Sequence, residues 1–261
     1  MKKSTLRQIA EKINTSEQYS IFVLGDSITE GARATDNECT YTAVFARGLA
    51  ERFPDRTVIR YDGRRHPVKN AELLGIESYG EPICVQKGDA GKLTVIRCGI
   101  GGNSARRLLN RKADFIHNPI CPTPDLYIIM LGINDSISAN PAKYVTPDVF
   151  AQNLAELTKE LTDAAPDAGL IFMTPTYNDR GTSTASTVAP YANAMRNFCA
   201  KEQLALIDQH RLWMDHLIVG GENYGQGDWL CGAEGDHCHP GDVGHAAIAN
   251  EMLTRLFEDI Q

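Results

Sequence analysis

Serine, histidine and aspartate are the side chains from which an activated oxygen nucleophile is built. A serine hydroxyl is inert near neutral pH until an imidazole takes its proton and a carboxylate holds that imidazole in the right tautomer. This chain offers all three. Ser27 follows the apolar run Ser20-Ile21-Phe22-Val23-Leu24-Gly25-Asp26, and Asp236 stands three residues before His239 in Asp236-His237-Cys238-His239-Pro240. Three residues apart in a turn, a carboxylate reaches imidazole Nδ1 and leaves Nε2 for the serine. Asp242 and His245 repeat the spacing, and His237 is a further imidazole. His245 is expected in the first turns of a terminal helix, where packing or solvent takes it, whereas Pro240 holds His239 on the loop ahead. The expected catalytic residues are therefore Ser27 as nucleophile, His239 as base and Asp236 as orienter. Taken alone, Gly25-Asp26-Ser27 is also ordinary turn and helix-cap chemistry.

Attack on a carbonyl needs donors aimed at the oxyanion that develops. Three candidates stand on separate segments: the N–H of Ser27; the N–H of Gly102 in Gly99-Ile100-Gly101-Gly102-Asn103-Ser104; and the side-chain amide of Asn134 in Gly132-Ile133-Asn134-Asp135. A glycine lets a substrate approach its N–H with no side chain in the way. The bland readings are a helix entry for Gly101 and Gly102 and a loop-closing turn for Asn134.

Positioning these groups requires a rigid frame, and the hydrophobic pattern supplies one. Five short, almost wholly apolar runs read as strands buried on both faces: Ser20 to Gly25, Thr94 to Gly99, Leu126 to Leu131, Leu170 to Thr174 and Leu204 to Ile207. Between and after them lie helical periods at Thr40 to Phe53, Ser104 to Phe115, Asp148 to Ala164, Pro190 to Glu202 and Val243 to Phe257. Thr146 as N-cap and Pro147 at the first helical position mark the start of the third. Alternation of strand and helix predicts an α/β three-layer sandwich around a parallel sheet, with ligands outside the carboxyl ends of the strands. Ser27, Gly102 and Asn134 fall just past three such ends. Two stretches break the pattern: Tyr61 to Gly91, rich in glycine, expected as an inserted loop or β-hairpin, and Gly220 to Gly235, where Tyr224 and Trp229 suggest either a substrate lid or a surface loop that buries its own tryptophan.

With 261 residues, 43% hydrophobic and 23% charged, the chain suits one large domain, expected to span 1–261 with 1–19 as an N-terminal extension. A net charge of −7 gives no basic field for nucleic acid or anionic lipid, so a small neutral or weakly polar substrate fits better. Neither a signal peptide nor a membrane-spanning run is found, and a cytoplasmic location is expected unless a leader has been removed. The seven cysteines include no Cys-x-x-Cys pair and read chiefly as reduced core thiols. Cys231 and Cys238 could be bridged in an extracellular protein. A metal cluster of Cys231, His237, Cys238 and His239 is disfavoured because no second pair at structural-zinc spacing closes it, and no metal is expected.

Taken together, Gly25-Asp26-Ser27, the glycine segment ending in Gly102, Gly132-Ile133-Asn134-Asp135 and Asp236-x-x-His239-Pro240 resemble the four sequence blocks of the SGNH (GDSL) hydrolases, in the same order and at comparable intervals. The resemblance implies a flavodoxin-like five-stranded sheet, Ser27 as nucleophile, Asp236 and His239 as orienter and base, and Ser27 N–H, Gly102 and Asn134 as oxyanion hole. It implies no cofactor. Where many members carry asparagine ahead of the block-two glycines, this chain has Arg97. A dinucleotide fingerprint fails, since Ser104 stands where its third glycine belongs, and a nucleophile elbow fails for want of a second glycine after Ser27. A silent carbohydrate-binding descendant is opposed by the intact catalytic set. The expected reaction is hydrolysis of a short acyl ester through an acyl-enzyme. The ester is expected to be an acetyl group on a carbohydrate, with Asn178, Asp179, Arg180 and Trp229 as rim residues toward it. Lipid esters, thioesters and acyl transfer would use the same groups.

Overall fold

The computed structural model describes residues 4–65, 76–116, 118, 120, 121, 123–177, 188–220, 229, 236 and 238–258. In chain order the elements are α1 (Leu6–Thr15), β1 (Gln18–Gly25), α2 (Ser27–Glu30), α3 (Tyr41–Arg52), β2 (Thr57–Asp62), β3 (Arg64–Arg65), β4 (Ile76–Ser78), β5 (Ile83–Gln86), β6 (Lys92–Gly99), α4 (Ala105–Asn110), β7 (Leu126–Met130), α5 (Pro147–Ala164), β8 (Gly169–Met173), α6 (Ala189–Glu202), β9 (Ala205–Ile207), α7 (Gln209–Gly220) and α8 (Asp242–Phe257). The main sheet runs β5-β2-β6-β1-β7-β8-β9, with every neighbouring pair parallel except β2 with β5.

The five expected strands are present as β1, β6, β7, β8 and β9, but the sheet has seven strands rather than five. β2 escapes the apolar signal because its buried face carries Val58, Arg60 and Asp62, and an ion pair at 3.1 Å between the last two replaces hydrocarbon. In the expected insertion at 61–91, Ile83–Gln86 does form a strand. It pairs antiparallel with β2 at the sheet edge, while β3 and β4 form a separate two-stranded ribbon.

Two cores hold the layers apart. On one face α1, α3 and α8 pack Ile9, Ile13, Phe45, Leu49, Ile248 and Met252 against alternate residues of the strands, among them Ile21, Val23, Ile128 and Ile171. On the other, α4, α5 and α6 pack Leu108, Leu154, Leu157 and Met195 against Phe22, Leu24, Ile129 and Phe172. The N-terminal extension is thus part of the core. Its helix opens with a reciprocal capping box between Thr5 and Gln8, and Ile9 lies where Gly169 leaves room for it. The connection after β9 holds a further helix, α7, whose Trp213 is fully buried.

β1 lies at the centre of the sheet, with β6 on one side and β7 on the other. The chain fills the β6 side first and then crosses to β7, so the strand order reverses around β1. In open α/β sheets the crevice at such a reversal, beyond the carboxyl ends of the strands, is the natural ligand site.

Candidate active site

Ser27 is the first residue of α2, immediately beyond β1. Asp26 caps that helix, its Oδ1 accepting from Ile28 N–H at 3.0 Å, which leaves the Ser27 hydroxyl free of capping duty. The hydroxyl meets His239 Nε2 at 2.8 Å. On the other side of the ring, Nδ1 lies 2.9 Å from Asp236 Oδ2 and 3.1 Å from Oδ1. Asp236 Oδ1 also accepts from the backbone N–H groups of Cys238 (3.2 Å) and His239 (3.1 Å), so the turn folds around its own carboxylate. Oδ2 takes a further donor, Arg33 Nε, at 2.7 Å. Burial works to raise the Asp236 pKa, but the Arg33 and His239 hydrogen bonds outweigh it and hold the carboxyl at about 2, so it stays ionised at any pH of interest.

The competing pair does something else. His245 is fully buried, with Nδ1 accepting from Tyr41 N–H at 3.3 Å and Nε2 facing Ala32 O at 3.2 Å. Asp242 takes Thr35 through both its N–H (2.8 Å) and its hydroxyl (2.7 Å). These two residues fasten the segment after α2 to the start of α8. Arg33 lies in that segment, at φ 71 in the left-handed region, and is thereby delivered to Asp236.

The segments after β6 and β7 are tied to β1 by buried polar contacts. Asn103, fully buried, donates its amide to Gly25 O at 3.1 Å, and Gly101 N–H donates to Glu30 Oε2 at 2.7 Å. Gly102 sits at φ 81, where a side chain is strained. Asp135 accepts from Ala105 N–H with both oxygens (3.0 and 3.2 Å), so the segment carrying buried Asn134 is fixed to the start of α4. Asn103 and Asp135 stand inside two of the quoted sequence blocks but had no role assigned to them, and nothing in the sequence singled out Glu30 or Arg33. Arg97 is buried beneath the site, its Nη2 donating to Asn37 Oδ1 at 3.3 Å and its Nε 3.7 Å from Asp62.

Of the expected rim residues, Asn178, Asp179 and Arg180 lie outside the described residues. Trp229 is half-buried, stacked on His216 at 3.7 Å with a 6° interplanar angle and edge-on to Trp213 at 4.8 Å. Tyr224, Cys231 and His237 also lie outside, so the lid, bridge and metal-cluster readings concern residues not described.

Two buried carboxyls flank the site. Burial pushes Asp26 up to about 6, against the Ile28 N–H bond and the nearby His239 and Lys143. Burial likewise pushes Asp135 up to about 7, against its hydrogen bond from Ala105, with Asp26 adding repulsion. In the unfolded chain such a carboxyl ionises at about 4, so the native state binds the extra proton between the two values. The stability Asp135 contributes is therefore full below about pH 4 and is lost as pH rises through about 7. Asp135→Asn keeps an acceptor for Ala105 and removes the titration. In urea unfolding its stability relative to wild type is expected to improve from pH 5 to pH 8, by on the order of 2 kcal/mol.

A hydroxyl bonded to an imidazole that is in turn bonded to an ionised carboxylate can deliver an alkoxide-like nucleophile to a carbonyl carbon at the sheet rim. A model of the family described as GDSL-like Lipase/Acylhydrolase matches residues 21–252. No curated protein matches the sequence. Among solved structures, an acetylxylan esterase from Geobacillus stearothermophilus is similar at 21% identity, with 91% of this chain and 94% of that one covered and a TM-score of 0.59. The acetyl xylan esterase AlAXEase is similar at 20% identity, covering 90% and 98%, with a TM-score of 0.63. A two-domain esterase active on acetylated mannans gives 16% identity and a TM-score of 0.64, with 98% of this chain on 54% of that one. At these identities the structures show a shared fold, and the family match shows the kinship: the chain belongs to the GDSL-like lipases and acylhydrolases, the SGNH serine ester hydrolases.

Proposed function

We propose that this enzyme removes short acyl groups, acetyl above all, from carbohydrate esters, with Ser27 as nucleophile, His239 as general base and acid, and Asp236 as orienter. The observation that carries the mechanism is the hydrogen-bonded chain from Ser27 Oγ through both nitrogens of His239 to Asp236, at 2.8 and 2.9 Å. His239 takes the Ser27 proton as Oγ attacks the ester carbonyl. The Ser27 and Gly102 N–H groups and the Asn134 amide hold the oxyanion. Its collapse expels the alcohol, protonated by His239, and leaves an acyl-Ser27 that water, activated by the same imidazole, hydrolyses.

The acetyl-carbohydrate reading draws on the structural neighbours, an acetylxylan esterase and an esterase active on acetylated mannans, and on the polar residues Asn178, Asp179 and Arg180 that the sequence offers toward a sugar. It is tested by comparing kcat/KM on acetylated xylo- and manno-oligosaccharides with p-nitrophenyl esters of rising chain length. The expected order is acetylated sugars and p-nitrophenyl acetate well above the octanoate, by about tenfold or more for each pair of added methylenes. A rate climbing steadily into the long-chain esters would defeat the acetyl reading.

A further inference from the structure

Lys143 stands beside the site with no part in the steps above. Its backbone is fixed in the turns between Asp135 and α5: Lys143 N–H and Tyr144 N–H donate to Asn140 O at 3.0 and 2.9 Å, and Val145 N–H donates to Asp135 O at 3.1 Å. Its ammonium donates to Asn134 Oδ1 at 3.4 Å. A side chain on Gly102 would meet the same Nζ, 2.8 Å from where its Cβ would stand, with Arg107 Nη1 3.8 Å from that point. One ammonium therefore bonds the side chain of Asn134 and lies close beside Gly102, between the two segments that carry the proposed oxyanion donors other than Ser27.

Two effects follow. The two ends of an asparagine amide have nearly the same shape, and their hydrogen-bond partners decide which faces a substrate. An ammonium can only donate, so it holds Oδ1 and turns the N–H groups of Asn134 the other way. Positive charge that is already in place also stabilises an oxyanion directly, without reorganisation as the charge develops.

We propose that Lys143 is a positioning residue for the oxyanion hole: its ammonium fixes the Asn134 amide with the N–H groups toward the reacting carbonyl and keeps a positive charge beside the hole. This rests on the reading of Ser27 as nucleophile. The test uses Lys143→Met and Lys143→Arg, with kcat and KM measured on p-nitrophenyl acetate. Rates are referred to the concentration of intact sites, so that a misfolded fraction does not count. Binding of phenylboronic acid, whose adduct with Ser27 is a tetrahedral anion, is measured in parallel.

Lys143→Met is expected to lower kcat by about 10- to 100-fold with KM within about twofold, and to weaken phenylboronic acid by a similar factor. Lys143→Arg is expected to recover at least part of both. A Lys143→Met enzyme with wild-type kcat, a loss of kcat with undiminished boronate affinity, or an equal loss in Lys143→Arg would overturn the proposal. Ser27→Ala serves as the control that separates the two readings. If it is inactive and Lys143→Met is unimpaired, only the role of the lysine fails; if Ser27→Ala keeps its activity, the nucleophile reading fails and the lysine proposal with it.

Discussion

Ser27→Ala is expected to lower kcat on p-nitrophenyl acetate by at least about 10⁴-fold while leaving the fold and substrate affinity nearly unchanged. On the proposed mechanism the size follows from the loss of the atom that would bond to the acyl carbon; what would remain is the oxyanion hole and binding, which accelerate the reaction of water far less. The selectivity follows from the local structure. Asp26, not Ser27, caps α2, and the bond of Ser27 Oγ to His239 is its link to the far loop, so alanine removes no cap. Alanine is also a good helix residue. The start of α8 stays fastened through Thr35 to Asp242 and Ala32 to His245. Thermal unfolding should therefore move by no more than a few degrees, and circular dichroism should be unchanged.

Asp236→Asn is expected to cost about 10⁴-fold in kcat through the imidazole tautomer. Asp236 Oδ1 is held by two backbone N–H groups, Cys238 and His239, which accept no substitute for an oxygen. The asparagine oxygen must take that place, which puts its NH₂ where Oδ2 now faces His239 Nδ1 and Arg33 Nε. Nδ1 then becomes the acceptor, and the imidazole proton moves to Nε2. A protonated Nε2 donates to Ser27 Oγ and cannot take its proton. The same NH₂ confronts the Arg33 guanidinium, donor to donor, so that ion pair is lost as well. Steady-state kinetics beside a native circular dichroism spectrum check the prediction; a loss below about tenfold would mean that Asp236 does not set the tautomer.

The segments that carry the candidate site were legible because each obeys a local rule. β1, β6 and β7 are buried on both faces, so their sequences are continuous apolar runs, and Thr146 with Pro147 opens α5 as cap chemistry requires. A separation of three residues put Asp236 within reach of His239, and the loop position held by Pro240 set that pair apart from Asp242 and His245, which share the spacing. β2 was not legible, because Arg60, ion-paired with Asp62 and hydrogen-bonded to Glu38, stands with Asp62 on its core face and cancels the apolar alternation that a half-buried strand should show. The same holds for the groups that pin the site. Asn103 reaches Gly25 from 78 residues away, Arg33 reaches Asp236 from 203 away, and Lys143 meets Asn134 across a looped segment. Pairings across such separations are made by the fold, and a single sequence carries no periodicity that announces them. Arg97 was visible as a departure from the family pattern, but its bond to Asn37 and its closeness to Asp62 came only with the structure.

The central claim is that Ser27 Oγ becomes acylated during turnover. The most direct measurement is an acid quench of the enzyme within the first turnovers on p-nitrophenyl acetate, followed by peptide mapping by mass spectrometry. The expected result is a single acetyl group on the peptide containing Ser27, formed in step with the burst of p-nitrophenol and absent in Ser27→Ala. Acetyl on a cysteine or on His239 with Ser27 unmodified, or turnover in Ser27→Ala, would contradict it.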